Sequence, residues 1–161
     1  MLVFSDASFA DATALGNVLA DYVDEGGAVV LATFATDSTV PGGRFQNGEY
    51  FVIVPQGATS GMRRTLVPVV STHPLLQDVD TFDGGSSSFG SRSTAVTDDA
   101  TIVATWNDGA VLVAFKEING VRRVDLGFYP VSSDARSDFW EATTDGAALM
   151  ANALLYAMNK N

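Results

Sequence analysis

The fold is decided by a stretch near the amino terminus, Glu25-Gly26-Gly27-Ala28-Val29-Val30-Leu31-Ala32-Thr33-Phe34. Its apolar part, Ala28 to Phe34, is typical of a strand that is buried on both faces of a parallel sheet. Two glycines stand directly before this strand, where they are expected to end a helix. A second short apolar strand, Leu2 to Phe4, precedes that helix. The order of strand, helix and strand predicts a right-handed βαβ crossover.

The helix of this crossover has an amphipathic pattern. Ser8 or Asp6 is expected to cap its first turn with a side-chain oxygen. The apolar residues recur at helical spacing and form the predicted buried face: Phe9, Leu15, Val18, Leu19, Tyr22 and Val23.

The second half of the chain predicts a β-hairpin and a closing helix. Asn107-Asp108-Gly109 is a strong turn signal between two strands, Ile102 to Trp106 and Ala110 to Phe115. Asn119-Gly120 marks a further turn before a third strand, Val121 to Leu126. A helix of about residues 145–158 closes the chain, with a predicted buried face of Leu149, Leu154, Leu155 and Met158.

Between these two parts the pattern is looser. A short apolar run, Tyr50 to Val54, lies between turns, and Val67 to Ser71 is predicted as a further strand. Gly84 to Ser93 has the glycine- and serine-rich composition of a linker. Because strand-like sequence resumes directly after it, we expect a surface loop inside one domain that spans residues 1–161.

The composition favours an ordinary globular domain and excludes several classes of function. Of the 161 residues, 47% are hydrophobic and 17% charged, and the net charge is −10. Such an acidic surface repels phosphates, so nucleic acid is not an expected partner. No apolar run approaches the length of a membrane span and no basic leader is present, so neither a membrane segment nor a signal peptide is expected. With no cysteine and one histidine, neither a metal site nor a cofactor is expected.

Five short segments carry a resemblance to a known superfamily. They are Leu19-Ala20-Asp21-Tyr22-Val23-Asp24-Glu25-Gly26-Gly27, His73-Pro74-Leu75, Trp106-Asn107-Asp108-Gly109, Gly127-Phe128-Tyr129-Pro130 and Asn152-Ala153-Leu154. In this order they resemble the class I glutamine amidotransferase-like superfamily, and within it the ThuA-like, non-amidotransferase branch. The resemblance implies an α/β fold: a flavodoxin-like parallel sheet flanked by helices, with a C-terminal β-hairpin. Members normally begin with two further β–α units, so the chain is either a fragment of a longer protein or a shortened version.

The same resemblance implies that amidotransferase chemistry is absent. In catalytic members the matching segment reads Gly-x-x-Phe-His-Pro-Glu, and its His is the base for a cysteine nucleophile. Tyr129 stands in place of that His, and Val131 in place of the Glu. Thr33-Phe34-Ala35 falls where the nucleophile would stand, and the sequence shows no base beside Thr33. The prediction is a non-catalytic binding or assembly module without glutaminase activity, with carbohydrate as the ligand class to test.

Candidate ligand-binding residues follow from the rule that ligands of parallel α/β sheets bind beyond the carboxyl ends of the strands. They are Ser5, Asp6, His73, Asn107, Tyr129, Ser132, Ser133 and Asp134. The loop after Pro130 offers hydroxyls, a carboxylate, a guanidinium and an aromatic ring, which suit a sugar or another polyol. Structural roles remain open for the same residues: helix capping for the serines and aspartates, and a loop position for the histidine.

A competing hypothesis is a small hydrolase that acts on a sugar-like substrate through these loops. Its triad would combine Ser5 or Ser132 with His73 and Asp134. The chain has no Gly-x-Ser-x-Gly motif, which the nucleophile of such hydrolases usually occupies.

The strand Leu2 to Phe4 is also expected to take part in assembly. If the first strands of the superfamily fold are missing, this strand lies at an uncovered edge of the sheet. An exposed apolar edge pairs readily with another chain. We therefore predict a homodimer in which the N-terminal edge strand lies near a two-fold axis.

Overall fold

The computed structural model describes residues 1–158 and contains a six-stranded sheet, a separate pair of short strands and three α-helices. The strands are β1 Leu2–Val3, β2 Val30–Ala32, β3 Ala58–Thr59, β4 Leu66–Pro68, β5 Gly90–Ser91, β6 Thr101–Trp106, β7 Val111–Ile118 and β8 Val121–Leu126. The helices are α1 Ala12–Asp24, α2 Gly43–Asn47 and α3 Gly146–Met158, with a 3₁₀ helix at Pro74–Leu76. None of these helices is long and apolar enough to cross a membrane.

The strand order in the sheet is β1-β2-β8-β7-β6-β4. β1, β2 and β8 run parallel, with Leu2 opposite Val30 and Val30 opposite Val124. The other three pairings, from β8 through β7 and β6 to β4, are antiparallel. The predicted α/β, flavodoxin-like fold with its C-terminal hairpin is therefore confirmed, and its parallel part is confined to three strands. β3 and β5 pair separately.

β2 is buried on both faces, as its continuous apolar sequence predicts. Val29 and Leu31 pack with α1 on one face, in a cluster that includes Leu19. Val30 and Ala32 pack on the other face, in the cluster that includes residues of α3. The two longer helices therefore cover opposite faces of one sheet, and β2 is common to both cores.

Both long helices differ from the prediction in detail. α1 begins after Asp11, whose Oδ1 accepts a hydrogen bond from the Ala14 amide at 2.9 Å, so neither Ser8 nor Asp6 is the cap. α3 buries Leu149, Ala153 and Ala157, while the predicted core residues Leu155 and Met158 are exposed. The small side chains allow α3 to lie close to the sheet, so the larger ones are left on its outer side.

The run from Tyr50 to Val54 is buried but does not form a ladder strand. The amides of Val52 and Ile53 donate to Oδ2 of Asp125 at 2.8 and 3.0 Å. Oδ1 of Asp125 accepts a hydrogen bond from Arg123 at 3.0 Å, and neither of these two charged side chains is exposed. This buried ion pair on β8 therefore supplies the partners that a neighbouring strand would otherwise supply.

Candidate functional site

Four strands of the sheet have their carboxyl ends on the same side of the sheet. β1, β2 and β8 are parallel, and β6 has the same direction because two antiparallel steps separate it from β8. In α/β sheets, ligands bind beyond these carboxyl ends. β1, β2 and β8 are adjacent in the sheet, so the segments that follow them, which include Asp6 and Tyr129, are neighbours. The segment after β6, which includes Asn107, lies two strand positions beyond β8.

Aromatic rings cluster around Tyr129 at the carboxyl ends of the strands. The ring centroids of Phe139, Phe34 and Phe4 lie 5.3, 5.7 and 5.8 Å from that of Tyr129. Phe89 lies 6.5 Å from Tyr129 and 5.7 Å from Phe139. The rings come from segments that are far apart in sequence, and none of the phenylalanines was predicted as a site residue. Local periodicity carries no signal for such a cluster.

A cleft of about 270 Å³ opens between these rings. Its walls are Asp6, Phe34, Phe89, Tyr129, Arg136 and Phe139. The Arg136 guanidinium lies 4.4 Å from the centre of the Phe139 ring and binds both carboxylate oxygens of Asp138, at 2.5 and 2.8 Å. Burial, and then the charge of Asp6, raise the pKa of Tyr129, so its phenol stays protonated at neutral pH. The cleft thus combines apolar ring faces with a hydroxyl, a carboxylate and a guanidinium.

A second cleft, of about 440 Å³, shares two of these rings. Phe34 and Phe89 line it together with Ser38, Ala58, Thr59 and Ser60. The centroids of the two shared rings are 6.1 Å apart. The pair therefore separates an aromatic cleft with charged groups from a neighbouring cleft lined by hydroxyls.

A buried polar cluster lies in the turn that contains Phe34, where the Asp37 amide donates to the Phe34 carbonyl at 3.1 Å. Thr33 Oγ1 donates to Asp37 Oδ2 at 2.9 Å, and Thr36 Oγ1 donates to the same oxygen at 2.7 Å. Asp37 Oδ1 is buried and has no hydrogen-bond partner. Burial raises the pKa of Asp37, although the hydroxyls of Thr36, Ser91 and Thr33 oppose the shift. Sequence reasoning missed this carboxylate beside Thr33, because a turn rather than a regular element brings the two together.

The segment from Gly84 to Ser93, which has the composition of a linker, is held against the strand ends. Arg64, 1% exposed, donates to the carbonyl oxygens of Ser91 and Ser88 at 3.0 and 2.6 Å. The Tyr129 amide donates to the Phe89 carbonyl at 2.9 Å. Much of the predicted surface loop is therefore buried, and its backbone contacts set the position of the Phe89 ring.

Several predicted site residues have local structural contacts. The Ser5 hydroxyl bonds to the carbonyl of Ala7, two residues on. Ser132 Oγ accepts from the Asp134 amide at 3.3 Å, and Ser133 Oγ accepts from the Ala142 amide at 2.9 Å. Asn107 Oδ1 accepts from the Thr65 amide at 3.3 Å, which ties β6 to the start of β4. Of the eight predicted residues, only Asp6 and Tyr129 line the aromatic cleft.

The structure places His73 apart from that cleft. Its ring lies 4.8 Å from Phe115 and 5.0 Å from Tyr156, and Nδ1 accepts from the Leu75 amide at 3.2 Å. Burial, and then the charge of Arg122, lower its pKa. The hydrogen bonds of His73, Ser5 and Ser132 go to different partners, so the described residues do not form the hypothetical triad. Nor do residues 1–158 contain three or more histidine, aspartate or glutamate side chains placed to hold a metal ion.

Solved structures match this architecture over most of the chain. A protein described as ThuA-like from Parabacteroides merdae superposes with a TM-score of 0.62 at 13% identity, over 98% of this chain and 70% of its own. The fold is ThuA-like. A second ThuA-like protein, from Bacteroides uniformis, gives a TM-score of 0.58 at 11% identity, over 94% of this chain and 66% of its own.

A cytoplasmic protein of Salmonella typhimurium superposes on this chain with a TM-score of 0.59 at 16% identity. The match covers 88% of this chain, and the chain spans 59% of the Salmonella protein. Identities this low relate the folds and carry no residue roles. No family model matches the sequence, and no curated protein matches it.

Proposed function

We propose that this chain is a non-catalytic binding module of amidotransferase-like type, which holds a small sugar-like ligand in the aromatic cleft. The observation that carries the proposal is the set of rings around Tyr129, open to a cleft of about 270 Å³ at the strand ends. Ligand sites are concave, mostly apolar, and carry a few polar groups that fix orientation. This cleft has that composition.

A polyol ring fits the chemistry of these walls. The C–H faces of a sugar are apolar and pack on the aromatic rings of Phe139 and Phe34, while its hydroxyls find donors and acceptors at the rim. The Tyr129 phenol both donates and accepts, and Asp6 accepts. Arg136 is paired with Asp138, so the site has less excess positive charge than an anion site would need.

Three features support a non-catalytic role. The chain has no cysteine. Tyr129 stands where amidotransferases, which the sequence resembles, have their histidine base. Thr33 and Asp37 are buried and hydrogen-bonded to each other rather than open to the cleft. We therefore expect no ammonia release from glutamine.

A small hydrolase is the second candidate function, and one contact favours it. Thr33 Oγ1 and Asp37 Oδ2, 2.9 Å apart, pair a hydroxyl with a carboxylate next to Phe34, which lines the cleft. Thr33 is fully buried, so a substrate would reach this hydroxyl only if neighbouring side chains moved aside. That requirement is the physical argument for ranking hydrolysis second.

Binding is tested with a panel of neutral mono- and disaccharides by titration calorimetry. Tyr129→Ala should weaken the binding of any sugar that the protein takes by about tenfold, because a lost aromatic contact is worth about 1 kcal/mol or more. Leu155→Ala, on the exposed side of α3, is the control and should leave affinity unchanged. The absence of binding across the panel, or equal losses in both variants, would contradict the proposal.

The same preparation separates the two candidate functions. Nitrophenyl glycosides report hydrolysis, and Thr33→Val removes the hydroxyl with little change in volume. Turnover by the native protein that disappears in Thr33→Val would establish the hydrolase. Sugar binding without turnover, unchanged in Thr33→Val, is the result that we expect.

A further inference from the structure

The sequence contains two Asn-Gly pairs, Asn47-Gly48 at the end of α2 and Asn119-Gly120 between β7 and β8. Such a pair can modify itself. The backbone nitrogen of the glycine attacks Cγ of the asparagine side chain, ammonia leaves, and a succinimide ring remains. Water then opens the ring to aspartate or isoaspartate. Glycine favours the attack because it has no Cβ and restricts the backbone least. From the sequence alone, the two pairs are equivalent.

The structure holds the first pair in place. The Gly48 amide donates to the Arg44 carbonyl at 2.8 Å, so the nitrogen that would attack is engaged at the helix end. The Arg44 side chain forms ion pairs with Asp21 and Asp24 of α1, and Phe45 beside it is fully buried. The end of α2 would therefore have to come apart before the ring could form.

The second pair has no such contacts. Asn119 and Gly120 are both exposed, in left-handed backbone with φ of 52° and 79°. Within residues 1–158, neither the Asn119 side chain nor the Gly120 amide forms a hydrogen bond, and a Cβ at Gly120 would meet nothing within 4 Å. The backbone pairing of Ile118 with Val121 closes the turn. An exposed turn of this kind opens locally at little cost, which lets the Gly120 nitrogen approach Cγ of Asn119.

The other asparagines that the structure describes are held by their side chains. Asn17 and Asn107 each accept a hydrogen bond from a backbone amide through Oδ1, at 2.9 and 3.3 Å. Asn152 donates to a backbone carbonyl at 2.7 Å. None of these three precedes a glycine. Asn119 is therefore the described asparagine at which a free side chain, a free following amide and a following glycine coincide.

We propose that Asn119 is a site of self-modification in the folded protein, where it deamidates through a succinimide formed with Gly120 while Asn47 keeps its amide. The two products act differently on the hairpin. Aspartate tolerates left-handed backbone and keeps the turn. Isoaspartate routes the main chain through the side-chain carbon and lengthens a two-residue turn by one methylene group. The pairing of Ile118 with Val121 no longer fits that turn, so the hairpin is weakened.

Either product also adds a carboxylate to an acidic cleft. The cleft has a volume of about 260 Å³, and its walls are Gly48, Glu49, Asp98, Asp99, Lys116, Glu117, Ile118 and Asn119. Lys116 Nζ already donates to the Glu49 carbonyl at 2.5 Å and to the Thr97 hydroxyl at 3.0 Å. The new carboxylate therefore meets like charges, and we expect it to lower the free energy of unfolding most at low ionic strength.

Peptide mapping of aged native protein tests the proposal. The 161-residue chain is kept folded at mildly alkaline pH and then digested with trypsin, too briefly for the peptides themselves to react. Cleavage after arginine and lysine places the two pairs in separate fragments, residues 45–63 and 117–122. The mass increase from amide to acid should appear in fragment 117–122 at least about tenfold faster than in fragment 45–63. The same chain aged in urea is the control, and there the two rates should become similar.

Two outcomes of the mapping would overturn the proposal. Equal rates in the folded chain would mean that the contacts of α2 do not protect Gly48. An unreactive fragment 117–122 in the folded chain, with both fragments reactive in urea, would mean that the turn keeps Gly120 away from Asn119.

The effect on the hairpin is measured with Asn119→Asp, which adds the charge without lengthening the backbone. Aged protein that carries isoaspartate should unfold at a lower urea concentration than fresh protein and than Asn119→Asp. A midpoint equal to that of Asn119→Asp would contradict the weakening of the hairpin by isoaspartate.

Discussion

Asp37 is buried at the end of β2 with one carboxylate oxygen bonded to two threonines and the other without a partner. A buried carboxylate with one bare oxygen is costly, and protonation is the usual way to reduce that cost. The Thr33 and Thr36 hydroxyls hold the carboxyl in place within the turn. This single residue therefore links the stability of the strand end to pH.

The contribution of Asp37 to the free energy of unfolding changes with pH in one direction. Burial raises the pKa of Asp37 in the folded chain above its unfolded value near 4, so the native state binds the proton more tightly. The contribution of Asp37 to the free energy of unfolding is largest at low pH and decreases as pH rises through the raised pKa. Asp37→Asn, which keeps an acceptor for both threonines, should lack this decrease.

Urea unfolding of both proteins between pH 4 and pH 7.5 measures the effect. The stability of the native chain should fall relative to that of Asp37→Asn as pH rises, and the comparison cancels the titration of all other groups. A difference that stays constant over the range would show that Asp37 titrates normally.

The elements that were predicted correctly are those whose bounds are set by residues close to them in sequence. β8 has the predicted bounds, Val121–Leu126, because Asn119-Gly120 supplies left-handed backbone at the turn, with φ of 52° and 79°. The segment from Gly84 to Ser93 has no such signal. Its conformation depends on Arg64, which donates hydrogen bonds to the carbonyls of Ser88 and Ser91, 24 and 27 residues further along the chain.

Gly90 shows how closely that segment approaches the sheet. A Cβ at this position would collide with the Gly127 carbonyl oxygen and lie 2.6 Å from Arg64 Nη2. We expect Gly90→Ala to lower the free energy of unfolding by about 1–3 kcal/mol, as overpacking does. Ser86→Ala, at an exposed position of the same segment, should change it by less than about 0.5 kcal/mol. Equal urea midpoints for the two variants would mean that the segment moves aside freely.

The molecule as a whole is organised around β2 and the residue before it, Val29, because alternate residues of this stretch belong to two cores. Val29 and Leu31 pack with α1, and Val30 and Ala32 pack on the side of α3. Loss of either core would expose an apolar face of the same strand. The two cores are therefore expected to unfold together.

Coincident unfolding tests this expectation and the prediction of one domain over residues 1–161. Trp106 and Trp140 both lie in the core on the α3 side, so fluorescence reports that core, whereas far-UV circular dichroism reports all helices. The two signals should give the same urea midpoint. A fluorescence change that precedes or follows the loss of ellipticity would indicate separate cooperative units.

By itself, the sequence determined the crossover around β2, the hairpins of the second half and the position of the closing helix. Apolar periodicity and turn residues act over a few positions, so a single chain displays them. The tertiary structure alone decided the aromatic cleft, because Phe34, Phe89 and Phe139 meet only where parallel strands end together and a distant arginine holds a loop against them. Contacts between such distant segments leave no local pattern from which they could be predicted.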